Sequence, residues 1–231
     1  MLEGKVVVVT GAGSGIGRAA VHRFVEAGAR VLAADRDFQK AHETCAGLPY
    51  ATPHKADVTR REDIEALLAK RDHIDVYFNN AGIPETVKPL AEITREEWDA
   101  VLDVNLTSLF LAAQVAAPKL RPGGVLLQTG SIIANRPRAG LAEYVAAKSG
   151  VIGLARGLAA ELAPDVRVNV INPGPANTPM LGGFGFDADV AQALPLKRLI
   201  EPEDIADAAV YLAGATAVTG AVFNIDAGRD L

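Results

Sequence analysis

Residues Thr10-Gly11-Ala12-Gly13-Ser14-Gly15-Ile16-Gly17 follow the apolar run Lys5–Thr10 directly and open a helical stretch over Gly15–Gly28. Glycine lets a chain turn tightly and lets its backbone approach a pyrophosphate at the positive end of the next helix. Gly11, Gly15 and Gly17 have the spacing G-x-x-x-G-x-G, with Ser14 and Ile16 between them, and Gly13-x-Gly15 makes the segment resemble G-x-G-x-x-G as well. A tight turn needed only for packing is the competing reading. The strand–turn–helix context favours a phosphate cradle.

Outward from this turn, short apolar or β-branched runs recur at Arg30–Ala34, Ile74–Asn79, Gly124–Thr129, Arg167–Ile171 and Ala221–Ile225, and read as buried parallel strands. Helical stretches separate them at Asp37–Ala46, Thr59–Arg71, Thr94–Leu120, Ala142–Leu162 and Pro202–Ala213. Thr94 with Glu97 forms a capping-box pattern, and Pro202 suits a first helical turn. Strand and helix alternating at this spacing specify an α/β, doubly wound parallel sheet of Rossmann type, with residues 1–231 as one domain. A further short strand around Tyr50–His54 would complete the first half of the sheet, although Pro49 and Pro53 weaken it. Asn172–Ile200 is a long segment without clear periodicity after a strand end, and about 175–200 reads as a substrate lid. Met180, Leu181, Phe184, Phe186 and Leu194 give that lid an apolar face, unless they only pack onto the domain.

The 231 residues, 49% hydrophobic and 22% charged, suffice for a sizeable core. A net charge of −5, with 23 basic residues spread along the chain, argues against nucleic acid and for a small-molecule partner. Cys45 is the only cysteine, and His22, His42, His54 and His73 lack zinc-ligand spacing, so neither a disulfide nor a metal is expected. The first ten residues do not read as a leader, and no apolar run approaches the roughly 20 residues of a membrane span. A cytoplasmic location without membrane contact is the expectation.

Asp35 closes the second strand, 18 residues after Gly17, where a carboxylate can accept both ribose hydroxyls of an adenosine and repel a 2′-phosphate. Arg36 beside it would suit that phosphate, and Asp35 has an alternative use as a helix cap. With no basic residue at Ser14, the balance favours NAD over NADP.

Tyr144 and Lys148 are four apart on a helix and leave the same face, and Ser131 lies just past the end of a neighbouring strand. A phenol with a pKa near roughly 10 must drop by about 2–3 pH units, on the order of 3–4 kcal/mol, to act as a base near neutrality. An adjacent ammonium is a suitable source of that drop.

Taken in order, the glycine turn, Asp57-Val58, Asn79-Asn80-Ala81-Gly82, Asn105, Ser131, Tyr144-x-x-x-Lys148 and Asn172-Pro173-Gly174 leading to Thr178 resemble the short-chain dehydrogenase/reductase family over essentially the whole chain. The resemblance implies hydride transfer between NAD(H) and a secondary alcohol or ketone, with Tyr144 as general acid/base. Ser131 would bond the substrate oxygen, Lys148 would hold the nicotinamide ribose, and Asn105 would hold a water next to Lys148. Asp57 and Val58 would flank adenine, and Asn80, Ala81 and Gly82 would back the cofactor. Pro173, Gly174 and Thr178 would hold the carboxamide. It also implies a homotetramer or homodimer, consistent with the small and apolar surface of Ala142–Leu162. Two departures stand out: Ala227 where many members have glycine, and a short loop after Thr178. Arg136 and Arg138, close after Ser131, suit an anionic substrate such as a hydroxy acid or a 3-oxoacyl thioester, if they are not simply solvated. A non-catalytic NAD-sensing protein on the same fold is the alternative of another class, although the full set Asn105, Ser131, Tyr144 and Lys148 favours an enzyme.

Overall fold

The structure, a computed structural model, describes residues 2–84, 86–184 and 189–231. Seven strands form one sheet: β1 (Val6–Thr10), β2 (Arg30–Asp35), β3 (Ala51–Lys55), β4 (Ile74–Asn79), β5 (Leu120–Thr129), β6 (Val166–Pro173) and β7 (Val222–Ile225). Their order is β3-β2-β1-β4-β5-β6-β7, and each neighbouring pair is parallel. The chain runs outward from β1 in one direction and from β4 in the other. The strand order therefore reverses between these two, opening a crevice at their carboxyl ends.

The helices are α1 (Gly15–Glu26), α2 (Phe38–Cys45), α3 (Arg61–Leu68), α4 (Arg95–Leu102), α5 (Ser108–Ala116), α6 (Ala142–Leu162), the short α7 (Val190–Ala193) and α8 (Pro202–Gly214). Side chains alternate across a strand, and β1 shows the consequence. Val7 and Val9 pack with Phe24 of α1 and Ile205 and Leu212 of α8, whereas Val6 and Val8 pack with Ile64 of α3, Leu109 of α5 and Val151 of α6. A strand buried on both faces needs a continuous apolar run, which is what Val6–Val9 supplies. Thr94 and Glu97 form the expected reciprocal cap at the start of α4, and Pro202 occupies the first turn of α8.

Several boundaries differ from the sequence expectation. The Tyr50–His54 strand forms at Ala51–Lys55 in spite of Pro53, because β3 is the sheet edge and pairs only with β2. Thr94–Leu120 is not a uniform α-helix: a π turn at Asp103–Thr107 joins α4 to α5. The helical run Arg95–Lys119 is also long and apolar enough, by length and composition alone, to cross a membrane, a property the sequence reading did not assign to any segment. Here its Leu109, Ala112, Ala113 and Ala116 pack against the sheet.

Within 175–200 the two ends meet as a neck. Asn177 N donates to Ile200 O at 2.8 Å, and Ile200 N donates to Pro175 O at 3.0 Å. Leu194 is fully buried in the core with Ile200, so it packs onto the domain instead of facing the cleft. Met180 and Leu181 do face the cleft. Phe186 and the side chain of Phe184 lie outside the described residues. Ala227 holds the left-handed φ of 53°, a conformation natural to glycine, which gives a backbone reason for the glycine expected at this position.

Candidate active site

A cleft of about 660 Å³ runs along the carboxyl ends of the strands. Every residue assigned to a site from the sequence lines it except Gly17. Gly17 is buried, and a Cβ there would stand 2.0 Å from the Gly11 carbonyl oxygen, so its role is close packing of helix on turn.

Gly11 has φ +65°, and a Cβ on it would reach within 2.9 Å of Ala81 Cα, which brings the glycine turn against the Asn80-Ala81-Gly82 segment. At the start of α1, Ser14 makes no side-chain cap hydrogen bond and the first turn carries no acidic residue. The amides at the positive end of the helix are thus left for an anion, and the turn fits a dinucleotide pyrophosphate.

Asp35 sits at the end of β2, where its Oδ2 accepts from Gly13 N and its Oδ1 from Asp37 N, both at 2.9 Å. The cap of α2 is Asp37, which accepts from Lys40 N, so Asp35 is not the helix cap. Arg36 is exposed beside it on the cleft wall. Asp57 accepts from the Thr59 hydroxyl at 2.7 Å and the Thr59 amide at 2.9 Å; these two bonds hold its carboxyl below the usual carboxylate range. Val58 lines the same wall.

The Asn80-Ala81-Gly82 segment is tied to β1. Asn80 Nδ2 donates to Thr10 O at 3.1 Å, and the Asn80 and Ala81 amides donate to Thr10 Oγ1 at 3.0 and 3.2 Å. Thr129 Oγ1 donates to Asn80 Oδ1 at 3.4 Å, linking β5 to the same junction.

Ser131, Tyr144, Lys148 and Asn105 meet at the other half of the cleft. Ser131 Oγ accepts from Ile133 N at 3.3 Å, which leaves the hydroxyl proton available to a ligand oxygen. Lys148 is buried on α6, donates from Nζ to Thr129 O at 2.9 Å and lies 5.6 Å from the centre of the Tyr144 ring. Burial pushes its ammonium down to about 8. Asn105 occupies the π turn and is fully buried. Its Oδ1 accepts from Ile83 N at 3.3 Å, and its Nδ2 donates to Ile83 O at 3.2 Å and Val101 O at 3.1 Å. Gly82 lies between Asn105 and Lys148: a Cβ on it would stand 2.8 Å from Asn105 Oδ1 and 3.9 Å from Lys148 Nζ. Pro173 ends β6 and Gly174 and Thr178 follow it, and a Cβ on Gly15 would come within 3.1 Å of Thr178 Cγ2, which places Thr178 across from the glycine turn.

Sequence reading did not single out Lys40 and Thr59 at the Asp35 end, Ile83 and Asp103 in the middle, or Arg229 at the Ser131 end, all of which line the cleft. Lys40 and Thr59 flank the flagged Asp35 and Asp57 closely enough in sequence to have been found. Arg229 had no such signal.

The sequence pattern of a family described as enoyl-(acyl carrier protein) reductase matches residues 11–230. The chain is 36% identical over 242 residues to 3-oxoacyl-(acyl-carrier-protein) reductase FabG of Thermotoga maritima, covering 98% of each chain. It is 37% identical over 239 residues to D-xylose 1-dehydrogenase of Caulobacter vibrioides, covering 98% of this chain and 96% of the other. A crystal structure of a 3-ketoacyl-(acyl-carrier-protein) reductase from Brucella melitensis, complexed with NADH, superposes with a TM-score of 0.94 at 34% identity over 100% of both chains. With the parallel sheet, the glycine turn and the Ser131–Tyr144–Lys148 cleft in place, these likenesses establish that the chain belongs to the short-chain dehydrogenase/reductase family of nicotinamide-dependent oxidoreductases.

Proposed function

We propose that this enzyme moves a hydride between NAD(H) and a secondary alcohol or its ketone, with Tyr144 as the general acid/base. The observation that carries the reading is the Lys148 ammonium, buried on α6 and 5.6 Å from the Tyr144 ring, in the same cleft as Ser131 and the glycine turn.

When bound, the nicotinamide supplies or takes up the hydride. The rest of the chemistry belongs to the chain. Lys148 favours the phenolate of Tyr144 by placing positive charge beside it. In oxidation that phenolate takes the proton of the substrate hydroxyl, and in reduction Tyr144 returns a proton to the carbonyl oxygen. Ser131, with its oxygen already accepting from Ile133 N, donates its own proton to the substrate oxygen and fixes it beside Tyr144. Asn105, locked to Ile83, supports Lys148 from the far side of Gly82 and would hold a water through which Lys148 exchanges protons.

The cofactor would lie with its adenosine against Asp35, Arg36, Asp57 and Val58 and its pyrophosphate at Gly11, Ser14, Gly15 and Ile16. Asn80, Ala81 and Gly82 would back it, and Pro173, Gly174 and Thr178 would hold the carboxamide. The Asp35 carboxylate at the ribose end supports NAD as the preferred form. One domain would serve for both cofactor and substrate, with about 175–200 as the lid, a reading supported by Met180 and Leu181 facing the cleft. The outer side of α6, where Gly153 and Gly157 face open space, supports a homodimer or homotetramer built on that helix. We place the enzyme in the cytoplasm, with no membrane or nucleic-acid partner.

The test is nicotinamide absorbance during incubation with NAD or NADP and a panel of secondary alcohols, hydroxy acids and sugar alcohols, with Tyr144→Phe as control. Tyrosine-dependent reduction of NAD is the expected result. Undiminished turnover in Tyr144→Phe would remove the assignment.

A further inference from the structure

The two ends of the cleft carry different charges. Asp35 ends β2 and Asp57 follows β3 on one side of β1, whereas Ser131 follows β5 and Arg229 follows β7, with β6 between them on the other side. Arg136, Arg138 and Arg229 all line the Ser131 end.

Arg136 is already committed. Its Nε lies 3.4 Å from Asp230 Oδ1, and its Nη2 donates to the Leu231 carbonyl. Asp230 also accepts from Asn135 Nδ2 at 2.7 Å and Asn224 Nδ2 at 2.9 Å, and its amide donates to Asp226 Oδ2 at 2.9 Å. The Gly228 amide donates to Asp226 Oδ1 at 2.9 Å. The turn 226–230 is therefore fixed from within, and it is pinned to the loop that follows Ser131.

Arg229 is held on this fixed turn. It is half-buried on the cleft wall and makes no side-chain hydrogen bond or ion pair among the described residues. A guanidinium does not lose its proton at physiological pH and presents a planar fork matched to a carboxylate. The same cleft wall carries the apolar Ile133, Leu141, Met180 and Leu181. A half-buried cation carried on a fixed turn, without a counter-ion among the described residues, at the substrate end of a protein whose net charge is −5, is a site for an anion delivered by the ligand.

We propose that Arg229 is a specificity residue that binds a carboxylate on the substrate, so that the alcohol or ketone processed is a hydroxy acid or an oxo acid. The proposal rests on the hydride-transfer reading above. A substrate bridging the cleft would place its carboxylate on Arg229 and its reacting oxygen on Ser131 and Tyr144. A site built for that ion pair discriminates strongly against an uncharged analogue, because the guanidinium is then left unpaired.

The test compares four- to six-carbon oxo acids with their methyl esters in wild type, Arg229→Met and Arg229→Lys. The expected wild-type kcat/KM ratio of acid to ester is at least about tenfold, collapsing toward one in Arg229→Met mainly through KM, with partial recovery in Arg229→Lys. Equal ratios in wild type and Arg229→Met, or a wild type that prefers esters, would overturn the role of Arg229 while leaving tyrosine-dependent hydride transfer intact. If neither class is turned over, titration of acid and ester into the Tyr144→Phe complex with NADH, followed by NADH fluorescence, decides. Tighter binding of the acid that disappears in Tyr144→Phe/Arg229→Met supports the proposal, and equal binding rejects it. Failure of NADH to bind would remove the hydride-transfer reading itself, and the Arg229 proposal with it.

Discussion

Lys148 Nζ stands 5.6 Å from the centre of the Tyr144 ring while donating to the Thr129 carbonyl from a buried position. Holding an ammonium there works against stability. Its ordinary value of 10.5 falls to about 8 through desolvation, and at 1.36 kcal/mol per pH unit that is about 3 kcal/mol. Between pH 8 and 10.5 the native state binds fewer protons than the unfolded chain, so this group makes stability rise with pH across that window. Below pH 8 the cost is carried in full. Lys148→Met removes the charge but leaves the Thr129 carbonyl without its donor, a loss of about 1–2 kcal/mol. The net expectation at pH 7 is a gain of about 1–2 kcal/mol, together with a turnover loss of at least about 100-fold. Thermal melts of both proteins at pH 7 and pH 9.5 check this: the difference in Tm should shrink at the higher pH, and a variant less stable at pH 7 contradicts the account.

Tyr144→Phe removes one hydroxyl from a side chain that is otherwise packed with Val101, Leu141 and Ala147. The fold and the glycine turn should be untouched. Loss of general acid/base catalysis predicts a drop in kcat on the order of 10²–10⁴-fold, with NADH affinity changed by no more than about threefold. Stopped-flow hydride transfer together with NADH fluorescence titration separates the two. A variant that loses cofactor binding in parallel would show that Tyr144 is structural.

Asp35 anchors two backbone amides and, in the proposed cofactor pose, faces the adenosine ribose, and a substitution has to separate the two. Its carboxylate anchors the glycine turn through Gly13 N and the start of α2 through Asp37 N. Asp35→Ala would lose both acceptors as well as the charge. Asp35→Asn keeps one of the two acceptor oxygens, leaving either the Gly13 or the Asp37 amide without its acceptor, while removing the charge proposed to oppose a 2′-phosphate, and Arg36 and Lys40 line the same wall. The NAD-to-NADP ratio of kcat/KM should fall at least about tenfold in Asp35→Asn, a change of about 1.4 kcal/mol. Steady-state kinetics with both cofactors check it, and an unchanged ratio would mean that Asp35 acts on the turn alone.

The parts of this molecule that sequence reading reached are those set by local periodicity and short spacing. β1 reads as buried because Val6–Val9 is apolar without interruption, and Tyr144 and Lys148 read as neighbours because four residues make about one helical turn. The π turn at Asp103–Thr107 was not legible, since one inserted residue changes where Asn105 points without disturbing the apolar pattern around it. Pro53 argued against β3 because the edge position that tolerates it depends on the strand order. Arg229 was out of reach for a related reason: the turn that carries it meets the loop after Ser131 only because β7 is added beside β6 and Asp230 then pairs with Arg136. Arg136, which proximity to Ser131 suggested as an anion site, is neutralised by that same pairing.

Gly82 offers a test of how Asn105 and Lys148 are held. A methyl group at this position would fall 2.8 Å from Asn105 Oδ1, tighter than real Cβ contacts allow, and 3.9 Å from Lys148 Nζ. Asn105 is fully buried and bonded to Ile83 and Val101, so it has no rotamer to retreat into without breaking those bonds. Gly82→Ala should therefore cost about 1–3 kcal/mol of stability through overpacking and displace Asn105 from the Ile83 amide. In the proposed mechanism Asn105 and Lys148 act on Tyr144 and on proton exchange and not through substrate contact, so the loss should appear in kcat, by about 10–100-fold, with KM for the alcohol nearly unchanged. The pH–rate profile should shift as well, since in the proposed mechanism the displaced amide supports proton exchange at Lys148. Steady-state kinetics from pH 6 to 10, alongside a thermal melt, provide the check. A folded Gly82→Ala enzyme with wild-type kcat and an unmoved profile would mean that Asn105 only ties the π turn to Ile83.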